Sequence, residues 1–233
     1  MSCAIGEDLP AGGSSSQHKG EETNSNEPTL MLFFINGMLT AEREASLDAL
    51  ELGEFLGMKV VSIYNRTRGL FWDCMIDVRL YCGGSSPAVG IAREKIEEVL
   101  GGEAVTVVTI AHSQGAMVIK KAISLLSRAE RARLGVITLA APVRVEAADG
   151  VLFAENLAAT RDAISRLANF KRRRHQGDTP TKIIILESAK GVKFDHRFLG
   201  GTYQRAGWPR LLEIIHGLKE SLLTAVTKKS SDK

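Results

Sequence analysis

Short apolar segments alternate with amphipathic segments along most of the chain, and this alternation restricts the fold more than any other feature. The apolar segments typical of strands lie at residues 29–37, 59–65, 104–113, 134–143 and 181–188. The segments predicted to be helical lie between and after them, at residues 40–57, 69–82, 86–100, 114–129 and 208–226. Strand–helix–strand units of this kind build a mostly parallel sheet with helices on both faces. The sequence therefore predicts an α/β fold with a doubly wound sheet.

One segment fits two interpretations. In residues 150–159, GVLFAENLAA, the alanines and Glu155 favour a helix, whereas the apolar start and the position in the alternation favour a strand. Residues 150–159 are thus either one more strand or part of a long helix over 151–174. The choice decides where a carboxylate discussed below is placed.

Composition indicates one folded domain with polar ends. The 233 residues are 44% hydrophobic, which is enough for one domain with its own core. Residues 1–28 are rich in Gly, Ser, Glu and Asn and are expected to form a disordered leader. A non-cleaved export signal stays an alternative for this leader. The domain is expected over residues 29–227, with a disordered tail at 228–233.

Charge, cysteine use and hydropathy argue against several classes of protein. The net charge of +3 is small, and the basic run 171–175 has no interleaved aromatic residues, so no binding of nucleic acid is expected. Cys3, Cys74 and Cys82 lack metal-ligand spacing and are expected to be reduced. The sequence has neither a long apolar stretch nor a signal peptide pattern. We therefore expect a cytoplasmic protein without a transmembrane segment.

A serine stands where the strand segment 104–113 meets the helical segment that follows. The sequence there is Ala111-His112-Ser113-Gln114-Gly115. A nucleophilic serine on a sharp strand-to-helix turn needs small residues two positions before and after it, because those residues crowd each other. The N–H of Gln114, at the start of the helix, is suited to stabilise an oxyanion. The alternative is a serine that only caps the helix.

Four short segments resemble one known superfamily. They are FFINGM at 33–38, IYNRTRGLFWD at 63–73, AHSQG at 111–115 and DHRFLGGTY at 195–203. With them the chain resembles α/β-hydrolases of the lipase and esterase type. It is similar, more narrowly, to compact hydrolase-like proteins of unknown function in chlamydiae and other bacteria. The resemblance implies the α/β-hydrolase fold and a catalytic serine, acid and histidine in that chain order.

The base is expected at His196. Among the five histidines, those that follow Ser113 are His175, His196 and His216. His175 belongs to the basic run and His216 to the last helix, whereas His196 lies in a glycine-containing loop after the last predicted strand. His112 is next to the serine, but its side chain is expected to point away from the site and to support it.

Three carboxylates are candidates for the acid. Asp162 is correctly placed if residues 150–159 form a strand, and the segment from Asn156 to Asp162 resembles the superfamily pattern. Glu187 takes this role if 151–174 is one helix. Asp195 is a third candidate, although adjacent side chains rarely meet. A missing acid, and with it a weak or inactive enzyme, is the fourth alternative.

A second oxyanion donor is expected after the first strand, from the N–H of Gly37 or Met38. The alternative for Gly37 is a simple turn glycine.

Asn65, Thr67 and Asp73 either line the rim of a pocket or serve as turn and cap residues.

Together these features predict a serine hydrolase that cleaves an ester through an acyl-enzyme, without a metal or organic cofactor. The substrate is expected to be a small-molecule or lipid ester. Four residues offer an apolar approach to the site, namely Leu39, Leu70, Phe71 and Trp72. Peripheral contact of the protein with a membrane stays open. Two alternatives are a binding module whose catalytic set has lapsed and an exported effector that acts through its leader and basic run.

Overall fold

The computed structural model describes residues 29–102, 105–170, 182–188 and 195–231. The expected leader at 1–28 and the basic run at 171–175, which includes His175, lie outside the described residues. Their predicted roles therefore stay predictions.

Six parallel strands form one sheet in the order β2-β1-β3-β4-β5-β6. The strands are β1 (Thr29–Ile35), β2 (Val60–Ile63), β3 (Val105–His112), β4 (Leu134–Leu139), β5 (Phe153–Ala159) and β6 (Lys182–Leu186). This sheet confirms the predicted α/β class and its doubly wound, parallel architecture. Residues 150–159 thus contain a strand, and the alternative of one helix over 151–174 is wrong.

Helices cover both faces of the sheet. They are α1 (Glu42–Leu56), α2 (Leu70–Tyr81), α3 (Pro87–Leu100), α4 (Gln114–Ile123), α5 (Arg128–Arg131), α6 (Ala163–Phe170) and α7 (Trp208–Ser231). Apolar residues of α1 and α7 pack on one face, and those of α2, α3 and α4 pack on the other. Strand β3 serves both cores, because Val107 and Ala111 face one and Val108 and Ile110 face the other. In the part of the chain described here, no helix is long and apolar enough to cross a membrane.

Helix ends differ from the predictions in three places. The predicted helix 40–57 begins two residues later than expected, at Glu42 after its N-cap Ala41, and ends before Gly57, which has the left-handed conformation. The predicted helix 114–129 stops at Ile123, and a separate short helix begins after Ser127, which caps it. Residues 228–231, expected in a disordered tail, belong to α7.

The strand order reverses between β1 and β3, and this position locates the site. Strand β2 follows β1 on one side, whereas β3 to β6 continue on the other. In open parallel sheets, ligands bind beyond the carboxyl ends of the strands at such a switch point. Residues 36–38 follow β1 and Ser113 follows β3, so both lie at this point.

Candidate active site

Ser113 occupies a sharp turn between β3 and α4. Its backbone has φ 51° and ψ −121°, a conformation that non-glycine residues seldom adopt. The side chain makes no capping hydrogen bond to α4, which the helix-cap alternative requires. A Cβ on Gly115 would lie 2.5 Å from the carbonyl oxygen of Ile35. Only glycine therefore fits two positions after the serine.

His196 connects Ser113 to a carboxylate. Its Nδ1 lies 3.0 Å from each carboxylate oxygen of Asp162, and its Nε2 lies 2.8 Å from the hydroxyl oxygen of Ser113. An ionised carboxylate only accepts hydrogen bonds, so Nδ1 carries the hydrogen and Nε2 accepts from the serine. This tautomer leaves Nε2 ready to take the serine proton.

Asp162 is fully buried just after β5, in front of α6. The backbone N–H groups of Ile164 and Ser165 donate to its Oδ1 at 2.9 and 3.2 Å. The hydroxyl of Tyr203 donates to its Oδ2 at 2.7 Å. Burial of a carboxylate is costly unless hydrogen bonds replace water, and these donors supply them.

The two alternative acids are placed differently. Glu187 is exposed beyond the end of β6. Asp195 is buried and accepts hydrogen bonds from the N–H and hydroxyl of Thr202. Burial raises the pKa of Asp195, but hydrogen bonds from Thr202 and Ser188 outweigh it and hold the pKa below its usual value. The contacts of Asp195 thus serve the loop around it.

Tyr203 is a site residue that the sequence did not reveal. It is fully buried in a π-helical turn, Tyr203–Gly207, and its hydroxyl also accepts from the N–H of Ala159 at 2.9 Å. Burial, together with the charge of Asp162, raises the pKa of Tyr203 well above its usual value. The phenol therefore stays protonated and able to donate to Asp162. Nothing in the local segment GGTY at 200–203 assigns this tyrosine a partner.

His112 contacts the loop segment that contains His196. Its Nε2 lies 2.9 Å from the backbone oxygen of His196, and its ring packs against the rings of His196 and Phe198. Burial, followed by the proximity of His196, lowers the pKa of His112 to about 4. The ring of His112 is thus neutral at physiological pH, and its Nε2–H donates a hydrogen bond to the backbone carbonyl oxygen of His196.

The expected oxyanion residues lie next to Ser113. Gln114 is the first residue of α4, so no carbonyl group of a preceding helical turn accepts a hydrogen bond from its backbone N–H. Gly37 is buried so close that an added Cβ would lie 2.9 Å from the Cβ of Ser113. Met38 follows it and is half-buried. Gly37 is therefore required by close approach, which a simple turn glycine does not explain.

The predicted rim residues have separate roles. Asp73, in the first turn of α2, is buried and accepts hydrogen bonds from the hydroxyl of Thr67 and from the N–H of Arg68, which precede the helix. Asn65 is also buried, and its side chain donates to Oε1 of Gln114 at 2.6 Å. Asn65 thus contacts the oxyanion region, whereas Thr67 and Asp73 organise the turn before α2.

Leu39 is the one of the four predicted apolar approach residues whose side chain the structure describes. It directly follows Met38, is 54% exposed and has a positive φ of 57°. The side chains of residues 70–72, which were expected to join it, lie outside the described part of the structure.

Comparison with known proteins identifies the fold. No protein-family model matches the sequence, and no curated protein matches it either. Among solved structures, an arylesterase is similar with a TM-score of 0.51 and 14% identity, over 84% of this chain and 77% of that chain. An acetyl xylan esterase (TM-score 0.49, 13% identity, 82% of this chain and 98% of that chain) is also similar. So is an S-formylglutathione hydrolase from Agrobacterium tumefaciens (TM-score 0.48, 13% identity, 84% and 86%). The protein has the α/β-hydrolase fold, as the resemblance implied.

Proposed function

We propose that this protein is a serine hydrolase that cleaves an ester through an acyl-enzyme, with Ser113, His196 and Asp162 as its catalytic triad. The observation that carries the proposal is the continuous hydrogen-bonded chain of these three side chains, with contacts of 2.8 and 3.0 Å. An alcohol is a poor nucleophile unless a base takes its proton and an acid orients that base. The chain of contacts meets both requirements.

The reaction begins when His196 Nε2 accepts the proton of Ser113 as its oxygen attacks the ester carbonyl. The negative charge that develops on the carbonyl oxygen is stabilised by the N–H groups of Gln114 and Met38. His196 then gives its proton to the leaving alcohol, and an acyl-enzyme remains on Ser113. Water, activated by the same histidine, releases the acid and restores the serine.

Asp162 keeps the histidine in the reactive tautomer throughout this cycle. The alternative of a binding module with a lapsed catalytic set predicts no carboxylate at His196. The contact of Nδ1 with both oxygens of Asp162 argues against that alternative.

The proposed substrate is an ester with an apolar acyl or alcohol group. Leu39, exposed beside the proposed oxyanion donor Met38, would contact such a group. Burial of one leucine-sized surface against the substrate contributes about 1.5–3 kcal/mol. An ester is favoured over an amide because an arylesterase is among the proteins of similar structure. A lipid ester fits this description, and so does a small aryl ester.

A fluorophosphonate probe tests the proposal. An activated serine is phosphonylated by this reagent, whereas an ordinary surface serine is not. We expect one adduct, located by mass spectrometry on the peptide with Ser113 and lost in Ser113→Ala. Ser127, an exposed serine that caps α5, is the internal reference and should stay unmodified. Unchanged labelling in Ser113→Ala, or no labelling of the folded wild type, would refute the proposal.

A further inference from the structure

A buried network of side-chain amides joins the residues that follow β1, the residues that follow β2 and the start of α4. The side chain of Asn36 donates to the carbonyl oxygen of Gly37 at 2.8 Å. The same side chain donates to the backbone oxygen of Asn65 at 3.1 Å and accepts from its N–H at 2.7 Å. Asn36 and Asn65 are 1% and 4% exposed. This pairing ties the end of β1 to the end of β2.

The network continues to the residue after the serine. Asn65 donates to Oε1 of Gln114 at 2.6 Å, and Nε2 of Gln114 donates to the backbone oxygen of Asp73 and to Oδ1 of Asp77 at 3.1 and 2.8 Å. The amide of Gln114 is therefore held on both its oxygen and its nitrogen. The start of α4 is anchored to β2 and to α2 through this one side chain.

The hydrogen bond to Gly37 fixes more than a carbonyl group. The Gly37–Met38 peptide is trans, so the carbonyl of Gly37 and the N–H of Met38 lie in one plane and point in opposite directions. Asn36 binds that carbonyl while paired with Asn65, which follows β2. Strand β1 lies between β2 and β3. The contact with Asn36 therefore holds the plane of the Gly37–Met38 peptide, and with it the N–H of Met38.

We propose that Asn36 and Asn65 are positioning residues for the oxyanion hole, because one amide network orients the Met38 N–H and anchors Gln114, the two proposed donors. The inference rests on the proposed serine hydrolase function. Neither asparagine touches the substrate, and both act through the backbone that they hold. Donors that are oriented before the reaction stabilise the developing charge without reorganisation. A small displacement of one donor is costly, since a misplacement of about 1 Å can lower a rate by about 10²-fold.

Asn36→Asp is the most direct test. The carboxylate keeps an acceptor for the N–H of Asn65 but loses the donor to Gly37, so the Gly37–Met38 peptide is free to rotate. We expect kcat for a short-chain nitrophenyl ester to fall by roughly 10- to 100-fold with little change in KM. The rate of phosphonylation at Ser113 should fall as well, because the phosphonyl oxygen occupies the same hole.

A thionoester gives a readout that a general structural defect does not move. Sulfur is a weaker hydrogen-bond acceptor than oxygen, so a formed oxyanion hole favours the oxygen ester over its thiono analogue. The Asn36→Asp variant should lose part of this preference. Asn65→Ala keeps the backbone groups that Asn36 uses and removes the contact with Gln114, so it should show the same change at roughly tenfold.

Asn156→Asp is the matched control. Asn156 is an equally buried asparagine on β5 whose side chain pairs with Thr138 and with both backbone groups of Val145. This substitution should lower the melting temperature but leave kcat and the ester preference unchanged. If Asn36→Asp fails to fold, Asn65→Ala decides by the same two readouts.

The outcomes separate the two proposals. A wild type that is not labelled at Ser113 overturns the serine hydrolase and this inference with it. A labelled, active wild type whose folded asparagine variants keep its kcat and ester preference overturns the inference alone. Equal losses in Asn156→Asp also overturn it, because the effect would then be general destabilisation.

Discussion

Tyr203 and Asp162 form a buried hydrogen bond, and Asp162 uses the same carboxylate to contact His196 in the proposed triad. The phenol donates to Oδ2 of Asp162 at 2.7 Å while it accepts from the N–H of Ala159 at 2.9 Å. Both side chains are fully buried. The tyrosine thus connects the end of β5 to the carboxylate that faces His196, and it restricts rotation of that carboxylate.

Replacement of Tyr203 by phenylalanine should therefore affect both stability and rate. The Tyr203→Phe change leaves the Ala159 N–H without its partner and removes one donor from Asp162. We expect the free energy of unfolding to fall by about 1–3 kcal/mol and kcat to fall by roughly tenfold. Urea unfolding and ester hydrolysis measure the two effects. Tyr64→Phe, at a half-buried tyrosine beyond β2, is the control and should change kcat little. A stable, fully active Tyr203→Phe protein would contradict this role.

His112 should make the fold sensitive to mild acid. Its pKa is lowered from 6.5 to about 4 in the folded protein, mainly by burial. As pH falls below about 6.5, the unfolded chain binds a proton at this position before the folded protein does. Stability present above pH 6.5 is consequently lost as pH falls toward 4, and at pH 5 the loss is about 2 kcal/mol.

Urea unfolding at pH 7.5 and pH 5 measures this loss. His112→Gln cannot titrate, so its stability should change less between the two conditions than that of the wild type. His216→Gln, on the exposed side of α7, should behave like the wild type. Equal pH dependence in the wild type and in His112→Gln would show that His112 is not the group responsible.

Local sequence patterns predict Ser113 and His196 as residues of the proposed site, whereas they leave the acid open between Asp162 and other carboxylates. The strand–serine–helix turn and the loop after the last strand each depend on a short segment. The position of Asp162 depended on whether residues 150–159 form a strand, and their composition favours neither state. Pairing of β5 with both β4 and β6 decides it, together with the bonds of Asn156 to Thr138 and Val145. These contacts are tertiary, so a local pattern does not contain them.

The supporting contacts were beyond prediction for the same reason. Tyr203 and Asp162 are 41 residues apart, and Asn36 and Asn65 are 29 apart. Each of these side chains, taken alone, has the appearance of a turn or packing residue. Only the fold brings them together at the carboxyl ends of the strands.

Gly115 should tolerate no side chain. An added Cβ would lie 2.5 Å from the carbonyl oxygen of Ile35 and 2.9 Å from that of Asn36. Both contacts are with backbone, so β1 or α4 would have to shift. We expect Gly115→Ala to lower the free energy of unfolding by about 1–3 kcal/mol, the range typical of overpacked cores, and to lower kcat.

Gly90→Ala is the matched control for that substitution. Gly90 lies within α3, and an added Cβ there meets no atom within 4 Å. Alanine favours a helix over glycine, so this variant should gain about 0.5–1 kcal/mol. Thermal unfolding of both variants measures the contrast. A Gly115→Ala protein as stable as Gly90→Ala would mean that the turn at Ser113 has room for a side chain at position 115.

The acid of the proposed triad can be assigned by comparing three carboxylates. Asp162→Asn keeps the size of the side chain but allows its amide to face His196 Nδ1, which favours the wrong tautomer. We expect kcat for a short-chain nitrophenyl ester to fall by about 10³- to 10⁴-fold. Glu187→Gln, at an exposed position, should retain nearly full activity. Asp195→Asn should mainly lower stability, because Asp195 holds Thr202.

A double variant completes this assignment. When His196 is replaced by alanine, a carboxylate that only orients His196 has no further effect on the rate. Asp162→Asn combined with His196→Ala should therefore be little slower than His196→Ala alone, since the members of a catalytic unit are strongly non-additive. Additive losses would show that Asp162 acts independently of His196. If Glu187→Gln lost most of its kcat while Asp162→Asn stayed nearly fully active, Glu187 would be the acid. The hydrogen bond between His196 and Asp162 would then have no role in the reaction.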